Sequence, residues 1–489
     1  MDERLNELPG ESETQKRLRE HGGKLLLIAA VVGAARPLLF CRADGAGINV
    51  VVFAAVLLIC LRTALMLSGV YDARKFYLSA AAAMLLAVST VLTMNGFVQA
   101  VSRLGILIVT AKLIADSFAD NIGMQFGGYI RAFIKLAMSG LKRIGEPVTR
   151  LLSYIRLDKW KYILAGIVIA VPLAAIAVSL LLSADWMFRR MFTVSLNFGE
   201  TGITAAKALW GFLWSFFAFY CIFAGQAADP TVIEKKEPRR VNAAVAVTFM
   251  SILGIIYLVF CAVQVIFLFG RHALPEGQTY AGYAREGFFQ LMFVCAMNEL
   301  LIMICSRKFR LSAALKSVLT VTCGCTYIMI ASSACRMIMY VQAYGMSFLR
   351  ILVLWFLLVL SIVLAGSIVY IFKNSFDLFR FCYGVSLAMW LVFAFAGPDA
   401  LAAGYNARTL GMTDGVTANM INDLSEDAVP VLARNFDRIS NETTRSAALI
   451  KLTEVYGKAE TRDIRSFNLS MMRAKKAVEL HISRLIEQT

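Results

Sequence analysis

The amino-acid sequence predicts an all-α integral membrane protein: a polytopic bundle of about eleven transmembrane helices with a small helical C-terminal extramembrane segment. Two observations predict this class. Hydrophobic residues make up 59% of the chain and charged residues only 17%, with a mean hydropathy of +0.67, so polar side chains are too few to cover a soluble surface. The basic residues behind the net charge of +16 lie in short clusters between apolar runs of about twenty residues. This pattern indicates membrane topology, and we expect no nucleic-acid partner.

Hydropathy divides the chain into five segments. A cytoplasmic N-terminal segment (1–23) precedes transmembrane helices 1–4 (24–118), a basic amphipathic cytoplasmic segment (119–161), transmembrane helices 5–11 (162–396) and a polar, helical extracytoplasmic tail (397–489). The eleven apolar runs begin near Lys24, Gly47, Phe76, Phe97, Tyr162, Ala208, Val241, Phe288, Ala313, Phe348 and Leu378. The first run has no signal-peptide cleavage site after it, so we expect it to remain as a helix.

The orientation follows from the distribution of Lys and Arg between alternate loops. With the N-terminus inside, the cytoplasmic segments carry 24 of these residues and the outer loops carry five. Because positive charge is retained on the cytoplasmic side, this bias predicts a cytoplasmic N-terminus and, after eleven spans, an extracytoplasmic C-terminus.

The segment 119–161 combines basic residues with apolar residues at helical spacing. Its basic residues include Arg131, Lys135, Lys142, Arg143, Arg150 and Arg156. The pattern predicts a pair of amphipathic helices, broken near Pro147, on the inner leaflet, where anionic lipids would be the partner. The alternative is an ordinary cytoplasmic loop that enforces topology.

The tail after residue 396 is polar and electrically balanced. Residues 397–489 carry twelve Lys/Arg and twelve Asp/Glu, and apolar residues recur at three- and four-residue intervals. We expect two to four short helices, and acids such as Asp399, Asp423, Glu426 and Asp427 would belong to a solvated face.

Ionisable residues inside the apolar runs are the candidates for function, because each must be paired, reach an interface or line a polar path. Lys112 and Asp116 are four residues apart and can pair on one helix face. Glu299, beside Asn298, lies near the middle of its run, and Arg336 lies in the next run. These side chains could form either a structural pair or a functional polar site.

Enzyme signatures are absent from the sequence. We find no Walker loop, HExxH, GxSxG or dinucleotide fingerprint, and the three histidines are scattered. Cys323 and Cys325 form a CxC pair, but residues two apart on a helix point to different sides. We therefore expect no metal site and no cofactor.

Four motifs, the second of them in two parts, resemble the successive signatures of a bacterial multi-pass membrane family known only as a domain of unknown function. They are Tyr283–Leu291 (YAREGFFQL), Arg336–Tyr340 (RMIMY), Tyr344–Arg350 (YGMSFLR), Pro398–Asn406 (PDALAAGYN) and Leu424–Pro430 (LSEDAVP). The resemblance covers roughly residues 235–435. Met346 and Ser347 depart from the usual Leu and Thr after Tyr-Gly.

The resemblance implies a bacterial cytoplasmic-membrane protein and supplies no reaction or ligand. In the predicted topology the signature residues cluster at the outer ends of helices. The candidate polar cluster is Glu286, Asn298, Glu299, Arg336, Arg350, Asp399 and Asn406. It is either an outward-facing ligand site or a salt-bridged clasp of Arg336, Arg350, Asp399 and Asn406 that holds helix ends and tail together.

Three functions fit the sequence. The first is a small-solute transporter or channel, which the spans and the intramembrane charges favour. The second is a non-catalytic envelope or signalling component whose outer tail binds an extracytoplasmic protein. The third is a membrane enzyme that acts on a lipid-linked substrate through acids just beyond the last span.

Overall fold

The computed structural model describes residues 12–118, 126–153, 170, 200–228, 241–269, 288–409 and 421–487, except positions 42, 44, 374 and 440. Within these residues the secondary structure is all-α, as predicted. The predicted span from Tyr162, the basic residue Arg156 and the candidate site residue Glu286 lie outside the described residues.

The helices in the first part of the chain are α1 (Glu13–Glu20), α2 (Gly22–Phe40), α3 (Ile48–Leu67), α4 (Ala73–Leu92), α5 (Gly96–Phe118), α6 (Phe126–Leu141), α7 (Glu146–Ser153) and α8 (Glu200–Ala228). The second part contains α9 (Ala243–Phe269), α10 (Phe288–Lys308), α11 (Ala313–Tyr344), α12 (Phe348–Phe372) and α13 (Leu378–Ala396). The tail contains α14 (Pro398–Thr409), α15 (Val429–Asn435), α16 (Glu442–Glu460) and α17 (Leu469–Glu487). Short 3₁₀ turns occur at Glu426–Ala428, Phe436–Arg438 and Ile464–Ser466.

Ten of the described helices, α2–α5 and α8–α13, are long and apolar enough to cross a membrane. They coincide with ten of the eleven predicted apolar runs. The long hydrophobic stretches satisfy their own backbone hydrogen bonds, which is the condition for a stable chain in lipid. The prediction of a multi-pass helical membrane protein is confirmed.

The chain forms two compact units. The first comprises residues 1–91, 102–234 and 462–467, and α8 is its central helix, packed on α1, α2, α6 and α7. Gly33 of α2 faces Phe212 and Phe216 of α8, and Gly225 of α8 lies against the backbone of Ser139 in α6. Small residues therefore let these helices approach closely.

The second unit comprises residues 92–101, 235–461 and 468–489. In its membrane part, α9–α12 enclose a core that includes Met250, Ile302, Leu319 and Leu364. In its tail, α15, α16 and α17 enclose a second core with the side chains of Leu432, Leu452, Val455 and Val478. The four α-helices of the described tail agree with the predicted two to four.

Gly397 connects the last span to the tail. Its φ of +64° lies in the left-handed region that favours glycine, and it lets α14 begin one residue after α13 ends. The tail helices therefore start directly at the end of a membrane span.

Candidate functional site

Polar side chains from four spans of the second unit are buried inside the helix bundle. We define the intramembrane polar cluster by the residues Gln264 of α9, Asn298 and Glu299 of α10, Thr326, Ser332, Ser333 and Arg336 of α11, and Ser367 of α12. All eight are buried, with relative exposures of 8% or less. The cluster therefore lies away from both solvent and lipid.

Glu299 is the carboxyl group at the centre of this cluster. It is the twelfth residue of the 21-residue helix α10, and the Ser367 hydroxyl donates to its Oε1 at 2.5 Å. Its Oε2 is buried and has no hydrogen-bond partner. The neighbouring Asn298 donates from Nδ2 to Thr326 Oγ1 at 3.2 Å, and its Oδ1 is also unpartnered. Two buried acceptor atoms on consecutive residues of α10 thus lack a hydrogen-bond partner, and each could accept a proton or a donor group.

Arg336 lies at a different depth from Glu299. Gln264 Oε1 accepts hydrogen bonds from Arg336 Nη2 at 3.0 Å and from Ser332 Oγ at 2.8 Å. Because Asn298 meets Thr326 across the antiparallel helices, the ten residues from Thr326 to Arg336 place that guanidinium about 15 Å further along α11. The structure therefore gives Glu299 and Arg336 separate hydrogen-bond partners at different depths of the bundle.

The turn between α11 and α12 is held by two predicted site residues. Arg350 Nη1 donates to the carbonyl of Tyr344 at 2.9 Å and to that of Gly345, and its guanidinium lies 4.2 Å from the ring centre of Tyr340. Asn406 of α14 accepts from the Met346 amide at 2.6 Å and donates to the Met346 carbonyl at 2.8 Å. These bonds fix the first tail helix to the turn.

Asp399 and Asp427 are buried, and the expectation that they belong to a solvated face is wrong. Asp399 Oδ2 accepts from Asn95 Nδ2 at 2.8 Å and from the Ser425 amide at 3.0 Å. Asp427 accepts from the Thr93 hydroxyl, the Met94 amide and the Ser470 hydroxyl. Hydroxyl and amide donors thus replace the water that Asp427 and Asp399 Oδ2 lose, whereas Asp399 Oδ1 is buried without a hydrogen-bond partner.

Burial raises the pKa of Asp427 above its ordinary 3.8, and its three hydrogen-bond donors oppose that shift. Asp399 contributes a further rise in the pKa of Asp427 by charge repulsion. The two carboxyl groups are therefore electrostatically coupled within the tail.

Asp399, Arg350 and Arg336 do not form the expected salt-bridged clasp. Asp399 bonds to Asn95 and Ser425, whereas Arg350 bonds to backbone carbonyls and Arg336 to Gln264. The carboxyl group of Asp399 accepts hydrogen bonds from neutral donors, whereas arginine partners were expected. Helix ends and tail are held by separate hydrogen-bonded pairs.

The first unit contains the predicted i,i+4 pair. Lys112 Nζ lies 2.5 Å from Asp116 Oδ2, and the Tyr129 hydroxyl donates to Asp116 Oδ1 at 2.7 Å. Tyr129 belongs to α6, so the pair ties the basic segment to α5. The predicted pairing of Lys112 with Asp116 is confirmed. Tyr129 is a further partner of Asp116 that the four-residue spacing did not predict.

The basic segment forms the predicted helix pair, with Pro147 in the first turn of α7. One face of α6 is buried, including Ala132 and Leu136, while Ile134 and Met138 are 57% and 49% exposed. Of the predicted basic residues, Arg131, Lys142 and Arg143 are exposed, Lys135 is half-buried, and Arg150 pairs with Glu146 at 3.3 Å. An exposed apolar stripe therefore runs beside basic side chains.

Several residues of these sites carry no charge and escaped the sequence reasoning. In the intramembrane polar cluster they are Gln264, Thr326, Ser332, Ser333 and Ser367, and around Asp399 and Asp427 they are Thr93 and Asn95 of the α4–α5 loop and Ser470 of the tail. A detectable signal was the seven-residue spacing from Thr326 to Ser333, which places both on nearly the same face of α11. Within the described residues, no three His, Cys, Asp or Glu side chains are arranged to hold a metal ion.

One family matches the chain: the family described as Domain of unknown function (DUF4153) matches residues 80–435. This range includes the core of the membrane part of the second unit, half of the buried residues of the tail core, and every residue of the intramembrane polar cluster. No curated protein and no solved structure matches the chain.

Proposed function

The chain belongs to the family described as Domain of unknown function (DUF4153), and we propose that this member is a small-solute transporter that uses Glu299 as its proton-binding group. The observation that carries the proposal is the buried Oε2 of Glu299, which has no hydrogen-bond partner in the middle of a membrane-spanning helix. An ionised carboxylate at that depth costs about 2.5–3.5 kcal/mol on insertion scales. Protonation removes that cost, and ionisation restores an acceptor for a solute or proton.

The surroundings of Glu299 support a working site more than a purely structural one. A structural carboxyl group is normally satisfied at both oxygens, since each unpaired buried polar atom costs about 1–3 kcal/mol. Here the unused atoms are Glu299 Oε2, Asn298 Oδ1 and the Ser333 hydroxyl. Gln264, Ser332 and Arg336 form a second group of buried polar side chains, nearer the end of α11 that precedes Gly345. Buried polar groups at two depths of one helix bundle support passage of a polar solute.

The test is electrogenic transport by the purified chain in proteoliposomes on a solid-supported membrane. Mixtures of amino acids, sugars, organic acids and inorganic cations are added in turn, at about pH 6 and about pH 8. We expect one mixture to produce a transient current whose size depends on pH. Glu299→Gln should remove the pH dependence and reduce the current at least tenfold, because the glutamine amide neither releases nor binds a proton in this range.

Glu454→Gln is the matched control, because Glu454 lies in the tail and its side chain is 49% exposed. Its current should equal that of the unmodified chain. The transport proposal fails if every mixture is silent, or if Glu299→Gln keeps a current with the same pH dependence. Equal reconstitution of the variants, checked by gel, makes the comparison valid.

A second candidate function is that of an envelope component whose tail binds an extracytoplasmic protein. The observation that favours it is the pair Leu449 and Ile450 on α16, which are 53% and 66% exposed although the tail has its own core. A photo-crosslinking amino acid at Ile450 should give a discrete protein adduct in cells, and one at Glu442 should not. Identical patterns from both positions would count against a docking face.

We place the protein in the bacterial cytoplasmic membrane, with the N-terminus inside and the tail outside. The excess of basic residues in alternate loops supports this orientation. Glu442→Cys in a cysteine-free variant offers an exposed labelling site in the tail, whereas Ser425 is tied to Asp399 and Asp427. An impermeant maleimide should label intact cells. Labelling only after lysis would reverse the orientation.

We also propose that α6 and α7 contact anionic lipids of the inner leaflet. The support is the exposed stripe of Ile134 and Met138 beside Arg131, Lys142 and Arg143. Native mass spectrometry of the purified chain should show fewer bound phosphatidylglycerol molecules in Lys142→Gln/Arg143→Gln than in the unmodified chain. An unchanged number would contradict the proposal.

A further inference from the structure

The tail contains a groove between its shortest and its last α-helix. Pro430, Ala433 and Arg434 of α15 form one wall, and Arg473, Lys476, Ala477, Leu480 and His481 of α17 form the other. The volume of this partly open groove is about 370 Å³, which is within the range of small-ligand sites. The spacings within each helix are three and four residues, so each wall is one helix face.

The groove has a strong charge bias. Three of its side chains are permanently or ordinarily cationic at neutral pH: Arg434, Arg473 and Lys476. No Asp or Glu lines it among the described residues, and the nearby Glu479 and Glu426 lie 3.9 Å from Lys475 and 3.4 Å from Lys458. A ligand that balances these charges must be anionic.

His481 adds a polar group with an unmet hydrogen bond. The residue is 5% exposed, its ring centre lies 4.7 Å from that of Phe436, and its Nε2 has no hydrogen-bond partner. Buried polar atoms are usually paired, so an unpaired nitrogen on a residue that lines a cationic groove is the kind of atom that an anionic oxygen would satisfy.

The remaining groove residues are apolar. Pro430, Ala433, Ala477 and Leu480 lie between the cations, and Leu480 is 53% exposed. The groove helix α15 also packs on α14, which begins after Gly397 at the end of the span α13. A ligand with a phosphate and an apolar body, present at a membrane surface, fits this combination.

We propose that the groove binds the phosphate headgroup of an anionic membrane lipid. Arg434, Arg473 and Lys476 contact the phosphate, His481 hydrogen-bonds to it, and the apolar residues contact the start of the acyl chains. This site is separate from the intramembrane polar cluster and from the basic helices α6 and α7.

The test is native mass spectrometry of the full detergent-purified chain with phosphatidic acid or phosphatidylcholine added. We expect one phosphatidic acid to be retained at concentrations where phosphatidylcholine is lost. Arg473→Gln/Lys476→Gln should weaken retention of that one lipid at least tenfold. His481→Phe keeps a ring beside Phe436 and removes the nitrogen, and it should weaken retention about threefold to tenfold.

The matched control is Arg438→Gln/Lys451→Gln, which also removes one Arg and one Lys from the tail but none from the groove. Its retention should stay within twofold of the unmodified chain, and thermal unfolding checks that all variants are folded. Equal weakening in the groove and control variants, or equal retention of the two lipids, would overturn the proposal. Complete displacement by equimolar inorganic phosphate would also overturn it, because the occupant would then be a soluble anion.

Discussion

The carboxyl group of Asp427 accepts a hydrogen bond from the backbone amide of Met94 at 2.6 Å, although 333 positions separate them in the chain. The Thr93 and Ser470 hydroxyls donate to the same carboxyl group. Asn468, two residues before Ser470, donates to the Thr93 carbonyl at 3.0 Å. The loop between α4 and α5 is thus bound to the start of α17 through one acid.

Replacing Asp427 with Asn should loosen this connection. An amide side chain has one acceptor oxygen, and its NH₂ group would face donors, so we expect a loss of about 1–3 kcal/mol in the free energy of unfolding. The unfolding temperature of the purified Asp427→Asn variant should be several degrees lower than that of the unmodified chain. Asp437→Asn, at an exposed acid of the same tail, should leave the transition in place, and a similar fall there would argue against the assigned role.

The effect of Asp427 should also depend on pH. Because burial raises its pKa in the folded state above 3.8, the folded chain binds this proton more tightly than the unfolded chain. Its contribution to stability is therefore fully present below the unfolded pKa and is lost as the pH rises through the folded pKa. The difference in unfolding temperature between the unmodified chain and Asp427→Asn should be larger at about pH 4 than at about pH 7. A difference that grows with pH would contradict the assigned direction.

The sequence predicted contacts that are local or periodic and missed those that are neither. Hydropathy predicts the spans, and the four-residue spacing predicts the pair of Lys112 and Asp116. Both signals lie within a stretch of about one to six helical turns. Ser367 meets Glu299 across 68 positions, and both Ser367 and Thr326 are common, uncharged residues in apolar runs. Nothing in their type marks them as partners. The burial of Asp399 and Asp427 was missed for the same reason, since their donors are neutral side chains and backbone amides distant in the chain.

The pair of Lys112 and Asp116 should show the asymmetry of a buried ion pair. Their side chains are 18% and 20% exposed, so Asp116→Asn leaves a poorly hydrated ammonium group and should cost about 1–3 kcal/mol. Replacing both, as Lys112→Met/Asp116→Leu, should recover most of that loss, because no charge remains uncompensated. The free energies of unfolding of the two purified variants measure the loss and the recovery. The exposed pair of Arg17 and Glu13 is the control, and Glu13→Gln should change stability by less than about 1 kcal/mol.

The crossing of α6 and α8 should be sensitive to added volume. A Cβ at Gly225 would lie 2.7 Å from the backbone of Ser139 and Gly140, and rigid backbone cannot move aside as a flexible side chain can. Gly225→Ala should therefore separate the two helices and destabilise the first unit by about 1–3 kcal/mol, despite the better helix propensity of alanine. Gly254→Ala in α9 meets nothing within 4 Å and should be neutral or slightly stabilising, because alanine is favoured over glycine inside a helix. Unfolding temperatures of the two variants, measured in the same detergent, compare the positions directly. If Gly225→Ala is as stable as Gly254→Ala, close packing at this crossing does not hold α6 in place.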